Sequence, residues 1–322
     1  MQTLEEQMLM IKNGEVIAPF LVELHLTNAC NHNCKWCIYS DIRKGDNSFI
    51  TYEKAKKLVK SIKNTGCESI VFSGGGDPLT HKNVEDIIKY AYTLGMEIIL
   101  ITNGGCLNRC NINKLSEHIS LLRISVDSYD DMSYNSIHHP KSHSETFSSL
   151  SESIKEFVRV KNKTKVILSY ILDNESIIGL SKFVHKAIEL QVDGIDIKTE
   201  HNLTYTNKKM LIKKAHEYLE DINVESMEVK FDSVKRRKKF VENLWVGLCY
   251  TCIIEANGNI YPCCHTIEDD YLIGNVNDES FENIWYGKRH KDMVKEYYAK
   301  KQSCPTCTDS STSKMICRII NA

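Results

Sequence analysis

Three cysteines on one short stretch, Cys30, Cys34 and Cys37, carry the most telling chemistry in this chain. The thiolate is the metal-binding form of cysteine, and three thiolates on one loop can ligate three of the four irons of a cubane cluster. Four would close an electron-transfer cluster; three leave one iron open to a substrate or cofactor. A zinc site takes a fourth protein ligand, which His32 or His25 is placed to supply. A second set follows near the C-terminus: Cys249, Cys252, Cys263 and Cys264, then Cys304, Cys307 and Cys317. Asn257-Gly258 between two apolar runs is a hairpin signal. It folds Cys263 back toward Cys249 or Cys252, and the later Cys304-Pro305-Thr306-Cys307 loop completes four thiolates. By spacing alone, zinc and an iron–sulfur cluster suit this set equally. Cys67, Cys106 and Cys110 read as free thiols of a core.

The chain that must position these groups has 322 residues, 26% charged, 42% hydrophobic, with a formal net charge of −1. That is long enough for one large domain and a small one. The balanced charge argues against a nucleic-acid partner, and the basic run Lys235–Lys239 reads as a solvated segment between domains. No apolar stretch approaches a membrane span, and Val16–Val22 is far too short. The N-terminus is acidic and unlike an export signal. A cytoplasmic chain with clustered cysteines points to metal rather than disulfides.

Strand patterns fall at Phe20–Leu26, Ser69–Ser73, Glu97–Thr102, Leu121–Val126, Val166–Ile171 and Gly194–Lys198. Helical patterns lie between them at Thr51–Asn64, Asn83–Thr93, Ile112–Ser116, Glu145–Val160 and Ser176–Glu189, with Asn207–Glu220 following the last strand. Thr51, Asn83 and Ser144 suit helix starts, and Gly95 suits a helix stop. Such alternation predicts right-handed crossovers and a parallel sheet. Six units are too few for a closed barrel of eight, so the expected class is α/β, a partial (β/α)6 TIM-like barrel with a small cysteine-rich C-terminal domain. The expected boundaries are an N-terminal helix or extension over 1–18, the barrel over 19–235 and the tail over 245–322. Chemistry in such barrels gathers at the C-terminal ends of the strands, and Asp127, Tyr170 and Glu200 are pocket candidates by strand position.

C-x3-C-x2-C directly after the first strand, with Trp36 before the last cysteine, resembles the signature of radical S-adenosylmethionine (SAM) enzymes. The resemblance implies that Cys30, Cys34 and Cys37 hold a [4Fe–4S] cluster whose open iron binds SAM, with Trp36 beside the adenine. Reductive cleavage of SAM then yields a 5′-deoxyadenosyl radical that abstracts hydrogen from substrate. After the second strand, Gly74-Gly75-Gly76-Asp77 resembles the family's Gly-Gly-Glu segment, which holds the SAM amino group, with Asp77 in place of Glu. Asn103, in Thr102-Asn103-Gly104-Gly105, matches a common family motif. Ser125 and Asp127 stand where ribose hydroxyls are held, and Ser169 is a further SAM contact. Relatives often carry an arginine shortly after the fourth strand, where this chain has His138-His139-Pro140.

The tail resembles the SPASM and shorter twitch extensions, which hold auxiliary [4Fe–4S] clusters. The Gly258-x4-Cys263 step, Ile273-Gly274-Asn275-Val276 and the helix-like Ser280–Trp285 carry that likeness. A full SPASM run has a cysteine where Ser313 stands, and the lone cysteine that closes it is missing. One auxiliary cluster is therefore expected, on Cys249, Cys263, Cys304 and Cys307, with Cys252, Cys264 and Cys317 as alternates. Cys264 is also a candidate catalytic hydrogen donor. The implied activity is oxidation or epimerisation of a small polar, sugar- or cyclitol-like substrate; the alternative is maturation of a ribosomal peptide by crosslinking, oxidation or epimerisation. Little chain precedes Phe20 to hold a leader-peptide-binding domain. A flavodoxin- or ferredoxin-type electron donor is implied, with no nucleic-acid or membrane partner.

Overall fold

The computed structural model describes residues 4–41, 43–231, 246–264 and 266–300. In chain order the barrel part runs α1 (Leu4–Lys12), β1 (Leu21–His25), α2 (Tyr52–Asn64), β2 (Ser69–Ser73), α3 (Val84–Thr93), β3 (Glu97–Thr102) and α4 (Ile112–His118). It continues with β4 (Leu121–Ser125), α5 (Asp131–His138), α6 (Phe147–Val160), β5 (Lys165–Leu172), α7 (Leu180–Glu189), β6 (Gly194–Thr199), α8 (Tyr205–Leu219) and β7 (Glu228–Phe231). The tail adds β8 (Thr251–Ile254), β9 (Asn259–Tyr261), β10 (Gly274–Asn275), α9 (Phe281–Trp285) and α10 (Lys288–Ala299).

One sheet takes in all these strands, in the order β10-β9-β8-β1-β2-β3-β4-β5-β6-β7. From β8 through β7 every neighbour is parallel; β9 and β10 are antiparallel. Among the described residues the two ends, β7 and β10, do not pair with each other, which leaves the barrel open between them. Strand side chains alternate between two faces. One face, with Val22, Leu24, Phe72, Leu100, Ile124, Leu168 and Ile197, is almost wholly buried under the helices. Burying each such side chain stabilises by about 1.5–3 kcal/mol. The other face lines the lumen.

The six expected strands occur nearly as read, and Gly95 follows α3 with φ +70°. Three departures have physical causes. β7 adds a further unit; it is short and half-exposed, so its apolar alternation is weak. α5 occupies what reads as loop, because its start rests on an Asp130–Ser133 capping box rather than on apolar period. The helix expected from Glu145 begins at Phe147, and Thr146 rather than Ser144 caps it, accepting from the Ser149 amide at 3.1 Å. Glu145 is drawn into the site described below. The basic run and the boundary expected at 235–245 lie outside the described residues.

β8 pairs in parallel with β1, Leu21 opposite Thr251 through Leu24 opposite Ile254. The hairpin turn is as expected: Glu255 faces Asn259, and Gly258 has φ +94°, the left-handed position such a loop requires. Buried Trp285 fastens the tail below the barrel, its indole N–H donating to Ile17 O at 2.8 Å. Among the described residues no helix is long and apolar enough to cross a membrane.

Candidate functional site

The loop after β1 carries Cys30, Cys34 and Cys37, all partly exposed. Their thiols converge. Arg43 hydrogen-bonds to Cys37 Sγ (Nη2 at 3.2 Å) and also to Cys30. The Asn103 amide nitrogen lies 3.6 Å from Cys30 Sγ, and the His32 backbone N–H reaches the same sulfur at 3.5 Å. Cys34 Sγ meets His138 Nδ1 at 3.3 Å. Burial pushes the Cys30 and Cys34 thiols up, Asp77 adding to it at Cys30 and the other cysteines at Cys34. A bound cation reverses that balance, since it binds the thiolate.

Neighbouring strand ends clamp this loop backbone to backbone. The Gly76 amide donates to Thr27 O at 3.0 Å and the Asp77 amide to Ala29 O at 2.9 Å. A Cβ on Gly76 would stand 1.9 Å from Ala29 O, and one on Gly75 2.3 Å from Asn28 Oδ1. After β3, a Cβ on Gly105 would fall 2.5 Å from Asn31 Nδ2. Only glycine permits such approach. From the far side the end of α5 grips the loop, Lys35 N donating to Ile137 O at 2.8 Å.

The other expected contacts are distributed as follows. Asp77 is buried, and its carboxylate accepts from Leu79 N, Thr102 Oγ1 and Asn103 N, the last at 2.7 Å. Its side chain therefore fastens β2 to β3, while Gly74–Gly76 present backbone. Asn103 also donates to Asn31 Oδ1 at 2.9 Å. Trp36 is half-buried, with Lys35 Nζ 5.3 Å above its ring. Asp127 has φ 51°, is buried, and accepts from the Ile171 amide at 2.8 Å. Burial pushes its carboxyl up to about 7, against the Ile171 bond and the Lys198 charge. Ser125 and Ser169 share one register across β4 and β5. Tyr170 leaves the lumen: strand alternation sends it to the helix face, where it packs 4.5 Å from Phe183. Glu200 caps its own turn through Asn202 N.

Sequence reading missed Glu145 as a site residue. It is buried beneath the cysteine loop and accepts from Asn31 Nδ2 at 2.8 Å, while His32 Nε2 lies at 3.2 Å and Arg109 at 3.3 Å. His138 is equally buried and turns inward onto Cys34. Burial holds the His32 and His138 imidazoles down, to about 3 and about 4, so both are neutral.

Residues 24–186 match the model of the radical SAM superfamily, and residues 246–308 match an iron–sulfur cluster-binding domain, SPASM. The chain belongs to the radical SAM superfamily. Among curated relatives, an S-adenosylmethionine-dependent nucleotide dehydratase of Selenomonas ruminantium is 31% identical over 111 residues, 34% of this chain and 39% of that protein. One from Lacinutrix mariniflava is 31% identical over 114 residues, 34% of this chain and 24% of that protein. The chain thus spans between a quarter and two-fifths of these relatives. The fold matches Streptococcus suis SuiB bound to precursor peptide SuiA with a TM-score of 0.70 at 13% identity, over 90% of this chain and 70% of SuiB. It matches anSMEcpe with bound AdoMet and a Kp18Cys peptide at 0.66 and 15% identity, over 87% of this chain and 84% of that one.

Membership in this enzyme family brings [4Fe–4S] clusters and SAM as cofactors. The residues present fit the first cluster: three converging thiols, two of them already joined by one guanidinium, with glycine backbone alongside. Below them the lumen of this radical SAM barrel is polar and mixed in charge. Asp196 lies 3.4 Å from Arg123 and 3.5 Å from Lys198. Glu23 accepts from Ser73 and pairs with His25 Nε2 at 3.1 Å. Burial raises the Glu23 carboxyl, but hydrogen bonds from His25 and Ser73 carry it below its ordinary value.

In the SPASM part, Cys249 is buried with Sγ 3.4 Å from Tyr298 Oη, and burial pushes it up to about 12. Cys252 sits in the core, where burial and the nearby Cys67 push its thiol up. Cys263 and Cys264 are partly exposed and hydrogen-bonded to each other. That bond, burial and the Glu23 charge push Cys264 up. Cys304, Cys307 and Cys317 lie outside the described residues.

Proposed function

We propose that Cys30, Cys34 and Cys37 hold the SAM-binding cluster and that the enzyme takes hydrogen from a small polar, sugar- or cyclitol-like substrate in the lumen, oxidising or epimerising it. When bound, cluster and SAM supply a 5′-deoxyadenosyl radical. Gly74–Gly76 offer backbone to the amino-acid end of SAM, held in place by Asp77. Trp36, Asn103, Ser125, Asp127 and Ser169 lie along its nucleoside end. Cys249, Cys263, Cys304 and Cys307 hold the auxiliary cluster, and a flavodoxin- or ferredoxin-type protein delivers the electron.

The observation that carries the substrate class is the lumen. Glu23 and Asp196 accept, Arg123, Lys198 and Ser73 donate, and strand alternation puts all five on the lumen face of β1, β2, β4 and β6. Alternating donors and acceptors match vicinal hydroxyls and amines, and charge-assisted bonds make the match selective. Cys264 stands close enough to Glu23 to feel its charge, so a thiol hydrogen donor is available at the lumen's edge. The nucleotide dehydratase name of the 31%-identical relatives supports a small, sugar-containing substrate of this kind.

The test is anaerobic turnover with SAM, a reductant and panels of aminosugars, cyclitols, nucleotides and short peptides. Deuterium from a small polar substrate should appear in 5′-deoxyadenosine. Arg123→Met and Asp196→Asn should lower that transfer about 10-fold or more, as loss of a charged hydrogen bond does, and leave substrate-free SAM cleavage unchanged. Deuterium transfer from a peptide alone would overturn the substrate class.

A further inference from the structure

Beside the cluster cysteines lies a second, differently built group. One donor atom each from His32, Cys34 and His138 falls within 4.8 Å of the others. Zinc at 2.0–2.3 Å from nitrogen and sulfur sets neighbouring donors about 3.5 Å apart, and the Cys34 Sγ to His138 Nδ1 separation is 3.3 Å.

Hydrogen bonding on the outer side of each ring fixes the tautomer. His138 Nε2 stands 2.8 Å from Val126 O. A carbonyl oxygen only accepts, so Nε2 carries the proton and Nδ1 turns a lone pair toward Cys34. His32 Nε2 stands 3.2 Å from the buried Glu145 carboxylate, which places its proton there as well. That leaves His32 Nδ1 a lone pair, buried and without a hydrogen-bond partner among the described residues. A buried polar atom with no partner calls for a reason. An imidazole whose outer N–H is held by a carboxylate or carbonyl is the arrangement of metal-ligating histidine, and it occurs here twice around one thiol.

We propose that His32, Cys34 and His138 form a zinc-class divalent cation site that competes with the iron–sulfur cluster for Cys34. One thiolate and two neutral imidazoles bind the cation, with a fourth position left for water. Glu145 is its positioning residue, acting through His32. A chain loaded in this way lacks Cys34 for cluster assembly, so zinc holds the enzyme in an inactive form. This goes beyond the function proposed above, and only the competition rests on Cys34 being a cluster ligand.

Full-length protein purified without its clusters is titrated with Co2+ as the probe. Cobalt held by the tail cysteines is common to all variants and is removed by subtracting the Cys34→Ser spectrum. Wild type and the Cys30→Ser/Cys37→Ser variant should both show one bound cobalt with a charge-transfer band of single-thiolate intensity. His32→Ala/His138→Gln should lose it, and Glu145→Gln should weaken it about 10-fold to 100-fold. Loss of the band in Cys30→Ser/Cys37→Ser means that three cysteines, not two histidines, held the ion; that sinks the proposal whether or not the histidine variants fold. Zinc added before reconstitution should cut iron uptake by about four per chain more in wild type than in His138→Gln. Equal inhibition of both refutes the competition.

Discussion

The two cysteine regions are built on opposite plans. Around Cys30–Cys37 the backbone itself is fixed: glycine turns after β2 and β3 and the end of α5 press on the loop from separate sides, and Arg43 and Asn103 already reach the sulfurs. Around Cys249–Cys264 the thiols meet side chains instead, Tyr298 for Cys249 and Cys264 for Cys263. The first plan gives a site that exists before metal arrives. In the second, with the tail ligands proposed above, metal binding would supply part of the folding energy. The difference suits the chemistry: a cluster that must present one open iron to SAM needs a set geometry, whereas a four-thiolate cluster needs only its ligands.

The sharpest way to break this contrast is Gly76→Ala. Its Cβ would meet Ala29 O at 1.9 Å, a backbone atom that cannot rotate away. The variant should lose about four irons per chain and all 5′-deoxyadenosine formation while the tail keeps its own iron, as read by iron content and electron paramagnetic resonance. Full activity would show that the clamp is dispensable. Cys249→Ser should do the reverse, losing about four irons from the tail while SAM is still cleaved. Loss of SAM cleavage there would show that the two regions are one cooperative unit.

Asp127→Asn has the smallest effect and sharpens the first region. The carboxyl is raised from 3.8 to about 7 in the folded protein. Its protonation therefore favours the fold, fully below about 4, and that contribution is lost as pH rises through 7. The amide does not titrate. Variant minus wild-type Tm should rise between pH 4 and pH 7 and stay flat above, by on the order of 10 °C at about 2–4 °C per kcal/mol. A difference independent of pH would contradict the buried, raised carboxyl.

Most of the barrel was legible because each strand's helix face is continuously apolar and each strand ends in a motif of glycine, asparagine or acid. Cys30, Gly76 and Asn103 could be placed together from topology alone, since consecutive parallel strands bring their C-terminal ends side by side. Glu145 was not legible: directly after Ser144 it read as the first residue of a helix, and only the folded chain shows it buried beneath Asn31 and His32. His138 was read as a loop residue, because the helix that ends on it is marked by a polar capping box. The pairing of β8 with β1 joins residues more than two hundred apart, and periodicity carries no information about such partners.

The central claim, a preformed three-thiolate SAM cluster site distinct from the tail's, is tested most directly by anaerobic reconstitution of wild type and the Cys30→Ala/Cys34→Ala/Cys37→Ala variant. Iron, sulfide and 5′-deoxyadenosine are measured on both. About eight irons should fall to about four, and product should disappear. Unchanged iron, or 5′-deoxyadenosine from the variant, would contradict it.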